Sequence, residues 1–404
     1  MRFLKCLFSS SEQSEFSGSR CLLLGVVAML GGVGCAGGKG DALILPPPAA
    51  ATGADSFVDE VRQISAKEGL PAAREYLVGA LVEKDDSNGR METRLMRTCR
   101  DVDHVYSDSL VALPKSTRSG IGIAFIPGMK AKGGFKPSKP VQALAAAAKE
   151  TERLGFQATL IPAVSRGSVD KNAAAMSASL AKVFAEADEV ILLAKSKGAH
   201  DLVYYLRHQG SELPAAERAK LKGICVLAGT VQGSFVADWF AHHDAPWASG
   251  TRAMFNLTGR ASQINMLETV ATSPWKDAPA DFPLAQFPNL TFINLVVLPD
   301  GEDGRPTGTV WSPFLSEQLQ KTAGWESPND SLVESAAEVL PDFIDAPQWI
   351  VRTSGSHAFP KGEFLNGEKV CPNTTPLEDG TLNPECGAEI MNAFLRALPS
   401  SLLN

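Results

Sequence analysis

From Gly120 onward the chain alternates short β-branched runs with Ala-rich stretches of helical spacing, and this alternation restricts the fold more than any other feature. Strands are expected over 121–126 (IGIAFI), 157–161, 189–194 (EVILLA), 223–228 (GICVLA), 291–297 (TFINLVV) and 347–353. Helices are expected over 139–154, 171–187, 198–209 and 384–397, the first two placed as crossovers. Alternation of this kind marks parallel βαβ units, so the expected class is α/β, a mostly parallel central sheet with helices on both faces. Ahead of it, residues 56–119 carry helical periodicity. Phe57, Val58, Val61 and Ile64 recur at helix spacing until Gly69-Leu70-Pro71 interrupts them, which gives an N-terminal helical extension.

Composition limits what such a domain can do. With 44% hydrophobic and 21% charged residues, the 404-residue chain has material for one large domain, or for one domain plus an appendage. Its 38 Lys and Arg against 45 Asp and Glu leave a net charge of −7. That balance lacks the clustered positive charge a phosphate backbone requires, so no nucleic-acid partner is expected.

Residues 1–35 stand apart. Arg2, Lys5 and Arg20 precede an apolar run from Cys21 to Val33, which is followed by Gly34-Cys35-Ala36. The run is shorter than the roughly 20 residues a membrane-spanning helix needs, and the layout is that of a secretory signal peptide. Gly32, Gly34 and Cys35 resemble the lipobox of bacterial lipoproteins, in which the cysteine receives the lipid; Gly32 stands where Leu is usual. The resemblance implies an exported protein anchored in the bacterial outer membrane or at the cell surface through Cys35, and otherwise a periplasmic or secreted one. Residues 36–55, with Pro46-Pro47-Pro48 among Ala and Gly, read as a flexible tether.

Of the seven cysteines, Cys99, Cys225, Cys371 and Cys386 lie beyond this region. Cys225 falls within an apolar strand and is expected to be a small buried hydrophobe. Cys371 and Cys386 bracket a loop rich in Pro, Asn, Thr and Gly, and a disulfide between them in an oxidising compartment would contribute about 3 kcal/mol. The chain has no C-x-x-C pair. His242, His243 and Asp244 have no further clustered ligands, so neither a metal nor a cofactor is expected.

Chemistry is expected at Ser196. The strand ending at Leu193 runs into Ala194-Lys195-Ser196-Lys197-Gly198-Ala199 and then into the helical HDLVYYLRH. A serine on a sharp strand-to-helix turn, with small residues two before and two after, resembles the nucleophile elbow of α/β-hydrolases, with Ala194 in place of the first Gly. The bland alternative is a serine that caps the helix. A nucleophilic serine needs a histidine base oriented by a carboxylate. Among the six histidines, His104 precedes the serine, His200 and His208 belong to its helix, and His242 and His243 fall in a long insertion. His357, after the last strand and Ser354-Gly355-Ser356, stands where this family carries its base.

Asp300 and Asp303 follow the strand FINLVVLP and are topologically simple candidates for the acid. Pro328-Asn329-Asp330-Ser331-Leu332-Val333 is similar to the P-N-D-G-L-V segment of secreted bacterial lipases, which implies Asp330 instead. Gly229 to Asp238 (GTVQGSFVAD) is similar to the T-P-H-R-G-S-x-x-A-D stretch of the same lipases. Ile126-Pro127-Gly128-Met129 is similar to their H-G-x turn, so the match implies oxyanion donors at Met129 and Lys197. The motifs span roughly 120–398. Lys195 and Lys197, atypical beside a nucleophile, are expected to be solvated or to draw an anionic substrate.

Between the fourth and fifth strands, residues 231–288 hold Trp239, Phe240, Trp247, Phe255 and Trp275. So long an insertion reads as a helical lid or cap closing over an apolar substrate, or as a helical insertion with a small core of its own. The resemblance implies a lipase- or esterase-like serine hydrolase acting on small-molecule or lipid esters, and acyl transfer would use the same residues. The departures at Pro127, Ala194, Val231-Gln232 and Ser331 leave a surface-tethered, non-catalytic binding protein on a degenerate hydrolase scaffold as the rival of another class.

Overall fold

The computed structural model describes residues 56–128, 139–162, 167–242, 249, 252–253, 261–271, 273–275, 287–299, 327–330, 332–355, 357, 363–364 and 385–404. Cys35, Met129, Asp300, Asp303 and Cys371 lie outside them, as do Trp247, Phe255 and His243.

The described chain begins with helices α1 (Ser56–Glu68), α2 (Leu70–Glu83) and α3 (Arg90–Arg100). Strand β1 (Ile121–Ile126), helix α4 (Lys139–Arg153), β2 (Gln157–Leu160), α5 (Val169–Glu186), β3 (Glu189–Lys195), α6 (Lys197–His208) and β4 (Leu221–Leu227) follow. Helices α7 (Phe235–His242) and α8 (Ala261–Ala271) precede β5 (Thr291–Pro299), β6 (Gln348–Gly355), β7 (Glu363–Phe364) and α9 (Cys386–Ala397). The seven strands form one sheet in the order β2-β1-β3-β4-β5-β6-β7. Pairing is parallel from β2 through β6, and the short β7 joins β6 antiparallel. The expected α/β architecture is the one observed, and β7 is an addition that the sequence pattern did not reveal.

Alternation along each strand sorts the core into two layers. Ile121, Ile123 and Phe125 of β1, with Ile191 and Leu193 of β3, share one cluster with Met91 and Leu95 of α3, Leu144 of α4 and Phe394 of α9. The intervening residues Ala124, Ile126, Val190, Leu192 and Ala194 point the other way, toward Met176, Leu180 and Phe184 of α5 and Leu202 and Leu206 of α6. From β1 the chain crosses to β2 on one side and returns to β3 on the other. Their C-terminal ends therefore flank the point where the connections diverge, the usual place for a site in such sheets.

The N-terminal helices complete this sheet. Phe57, Val61, Leu77 and Leu81 of α1 and α2 are buried against Val296 and Leu298 of β5 and Ile350 of β6. Polar contacts reinforce the packing. Arg62 of α1 reaches both carboxylate oxygens of Glu334, at 2.8 and 2.6 Å. Arg352 of β6 donates from its backbone and guanidinium to Glu92 of α3. Asp85 accepts from the backbone N–H of Ile350 at 2.9 Å.

In the long insertion, Ala237 of α7 and Met266 and Val270 of α8 cluster with Val169 of α5. Trp275 is buried in the α5/α6 layer, its Nε1 donating to the Val231 carbonyl at 2.9 Å. Cys225 is buried with a free thiol, as is Cys99, while Cys386 is disulfide-bonded.

Because α2 shares its core with β5 and β6, Leu77→Ala should cost about 2–5 kcal/mol. Urea unfolding followed by tryptophan fluorescence should show one cooperative transition at a lower midpoint. An early, separate transition confined to helix content would show instead that α1 and α2 unfold on their own.

Candidate active site

Ser196 joins β3 to α6 with φ 54° and ψ −131°, a positive-φ conformation costly for a residue with a β-carbon. The backbone is held there from both sides, by Ser196 N–H donating to the Leu227 carbonyl of β4 (3.0 Å) and the Thr230 N–H donating to the Ser196 carbonyl (3.3 Å). Small residues make the turn possible. A β-carbon at Gly198 would lie 2.7 Å from the Ile126 carbonyl oxygen and 2.8 Å from that of Pro127, both backbone atoms. One at Gly128 would lie 2.9 Å from the Ser196 β-carbon. Ala194 is fully buried.

Ser196 occupies the N-cap position of α6, yet its side chain makes no capping hydrogen bond. Its Oγ lies 2.7 Å from Nε2 of His357. The Nδ1 of His357 lies 2.5 Å from Oδ2 of Asp330. With Nδ1 protonated, His357 donates to Asp330 and accepts from Ser196, giving a continuous path from hydroxyl to carboxylate. The imidazole and carboxylate are buried. Asp300 and Asp303 lie outside the described residues; the carboxylate that meets His357 is that of Asp330.

The loop of Asp330 is fastened by its own backbone and by its neighbours. Oδ1 of Asp330 accepts from the N–H groups of Leu332 (2.9 Å) and Val333 (2.7 Å), and the Asp330 carbonyl accepts from His357 N–H (2.7 Å). The lipase-like stretch after β4 clamps the same loop. Gln232, which with Val231 stands in place of the P-H-R of that pattern, donates from its backbone to the Ala337 carbonyl (3.0 Å) and from Nε2 to that of Val339 (3.1 Å). Ser234 Oγ donates to the Leu332 carbonyl at 2.9 Å. The sequence singled out this stretch by resemblance, whereas its clamping role depends on the loop having come alongside.

The two lysines beside Ser196 are buried, contrary to the expectation that they are solvated or draw an anionic substrate. Helix spacing supplies the reason for Lys197, since Asp201 lies one turn on and takes its Nζ at 2.5 Å. Asn172 of α5 donates to the other Asp201 oxygen at 2.7 Å. Burial lowers the Lys197 ammonium and lifts the Asp201 carboxyl to about 6, so the low dielectric works against the charge of each partner. Burial likewise brings Lys195 down to about 8, opposed by the attraction of Asp330. The backbone N–H of Lys197 begins α6 and, like the other N–H groups of a first turn, has no carbonyl partner within its helix, which suits it to an oxyanion.

The remaining described histidines have other neighbours. His200 is buried with Nδ1 3.2 Å from the Thr230 carbonyl, and burial followed by the charge of Lys197 lowers it to about 3, so it stays neutral as a donor. His208 lies against Tyr204, His104 is edge-on to Tyr106, and His242 pairs with Asp238. Among the described residues no group of three His, Cys, Asp or Glu side chains could hold a metal ion.

No protein-family model matches the chain, and no curated protein does. Solved structures similar to it include a metagenomic carboxyl esterase, MGS0156, with 17% identity and a TM-score of 0.39 over 69% of this chain and 76% of that one. The mature Bacillus licheniformis lipase BlEst2 is 18% identical, with a TM-score of 0.39 over 63% of this chain and 88% of the lipase. Lipase 1 from Pelosinus fermentans is 10% identical, with a TM-score of 0.37 over 63% and 96%. These are distant likenesses, and the chemistry of the site rests on its own atoms.

His200 yields a pH prediction. Its folded pKa of about 3 lies below the ordinary 6.5, so the unfolded chain binds the extra proton first. Its contribution to stability is complete above about pH 6.5 and is lost as pH falls toward 3. Asp201, with its raised pKa, acts in the opposite direction between its ordinary 3.8 and about 6. His200→Gln keeps a donor for Thr230 and cannot titrate, so its urea midpoint should fall less steeply with acidification than that of the wild type. Parallel curves would show that His200 is not held neutral.

Proposed function

We propose that this protein is an exported serine hydrolase that cleaves carboxylic esters, lipase- or esterase-like, through an acyl-enzyme. One observation carries the reading: the unbroken path from the Ser196 hydroxyl through both His357 nitrogens to Asp330, with the serine held at positive φ. A scaffold that only binds places no demand on a serine to sustain that backbone strain.

In the proposed reaction His357 Nε2 takes the hydroxyl proton as Ser196 Oγ attacks the ester carbonyl. Asp330 holds the Nδ1 tautomer and stabilises the imidazolium. The tetrahedral oxyanion forms where the Lys197 N–H, and by resemblance that of Met129, can receive it. His357 then protonates the departing alkoxide, and water, activated by the same imidazole, releases the acyl group. The resemblance of its motifs to lipases favours an apolar acyl chain. Transfer to an acceptor other than water would need no additional residue.

The proposal extends to location. Cys35 would carry the lipid, and residues 36–55 would hold the domain off the membrane surface. The mature anchor would then leave ester substrates of a lipid surface within reach.

Two measurements test these statements. Wild type should label with a fluorophosphonate and hydrolyse p-nitrophenyl esters, whereas Ser196→Ala should lose labelling and at least about 10³-fold in kcat/KM. A chain-length series should favour long acyl groups; a wild type that neither labels nor hydrolyses any ester sinks the hydrolase reading. Cells grown with radiolabelled palmitate should incorporate it into the full chain but not into Cys35→Ala, and equal incorporation would move the anchor elsewhere.

A further inference from the structure

Behind the acid of the triad lies a second carboxyl group that the mechanism above does not use. Glu338 ends a short 3-10 turn (Ser335–Glu338) and is 1% exposed. Both ends of that turn are tied to one residue of β5: Ser335 Oγ donates to the Val297 carbonyl at 2.6 Å, and Glu338 Oε2 accepts from the Val297 N–H at 3.0 Å. The side chain faces Asp330, near enough for the two carboxyl groups to interact directly. Its remaining oxygen, Oε1, is buried and meets no donor among the described residues.

Two carboxylates cannot hydrogen-bond to each other unless one carries a proton. Asp330 already accepts three hydrogen bonds, from Leu332 N–H, Val333 N–H and His357 Nδ1–H. Glu338 has a single donor, the Val297 N–H. The proton belongs on the group with less to lose by neutralisation, and an orphaned buried oxygen is satisfied once it becomes a hydroxyl donor. Burial and then the neighbouring Asp330 charge both push the Glu338 carboxyl well above the ordinary range. Among the described residues, His357 on the far side of Asp330 and Lys195 at the end of β3, whose ammonium is attracted by Asp330, are the titratable groups that act on the pair.

We infer that Glu338 is a positioning residue for the triad: held neutral, it donates to Asp330 and anchors that carboxylate to β5 in the orientation His357 requires. The inference rests on the hydrolase reading for its kinetic consequence but not for its chemistry. A fourth donor shares the negative charge of Asp330, so the carboxylate stabilises the imidazolium less than an unshared one would and keeps a fixed plane. No bond is made or broken by Glu338, and its proton stays with it through the cycle.

The test compares Glu338→Leu with Glu338→Gln in the full chain. Leu removes the donor. The acid limb of kcat/KM should then move to higher pH by about one unit, the size expected for one hydrogen bond to a charged group, and kcat should fall about tenfold as the carboxylate loses its orientation. Gln offers Asp330 an N–H and Val297 a carbonyl, so it should return the acid limb to its wild-type position. If Glu338 were ionised, either substitution would remove a negative charge and move the limb to lower pH, which overturns the inference. A folded Glu338→Leu with the wild-type limb also overturns it, because a merely structural residue would change stability and not the profile. Should Glu338→Leu fail to fold, the direction of the limb in Glu338→Gln decides alone.

The low-field proton resonance of His357 Nδ1–H, followed in the resting protein without substrate, keeps the two proposals apart. It should persist in Glu338→Gln and shift or broaden in Glu338→Leu. That pattern in a protein that hydrolyses no ester would sink the hydrolase reading and leave the positioning role standing, while an unchanged resonance in Glu338→Leu sinks the positioning role.

Discussion

The strained turn at Ser196 is the constraint to which the surrounding structure answers. A serine at φ 54° is unfavourable by itself, and it persists because β4 and the segment after it grip the backbone on both sides. The grip requires β1, β3 and α6 to come close, and that closeness dictates residue size. At Gly198 a β-carbon would strike the backbone leaving β1, and at Gly128 one would strike Ser196 itself. At Gly229 it would lie 2.9 Å from the Ala199 β-carbon and closer still to Val226. The small residues seen as a motif are thus the record of a packing problem among three backbone segments.

The other half of the site is placed by a different device. Asp330 lies on a loop between β5 and β6, and a loop needs anchors before its carboxylate can serve a distant imidazole. Those anchors converge from several directions: Gln232 and Ser234 from the segment after β4, the 335–338 turn on β5, and Arg62 of α1 on Glu334. The N-terminal helices therefore do more than cover apolar surface. Through Glu334, whose side chain is almost fully buried, α1 adds a bidentate pair to the loop that carries Asp330.

Charge near Ser196 is handled by burial and pairing. Lys197 and Asp201 form a pair within α6 and behind Ser196, joined by Asn172, and His200 beside them stays neutral. Lys195 lies on the Asp330 side. The result is a site with ionisable groups on both flanks and few of them in water, so each interaction is stronger than its surface counterpart and more costly to disturb.

The periodicities of 2 and 3.6 were enough to mark the six parallel strands and the four large helices of the α/β region, because each element buries a face whose spacing is written locally. The serine turn was legible for the same reason, since its steric demands fall on residues two positions away. His357 and Asp330 were legible only through chain order and resemblance. What tertiary structure alone decided was which carboxylate reached the imidazole, that both lysines beside Ser196 are buried, that helices 56–100 share the core of the sheet, and that Glu338 lies against Asp330. Each of these depends on contacts between residues far apart in the chain, and neither hydrophobic period nor local spacing carries information about where a long loop comes to rest.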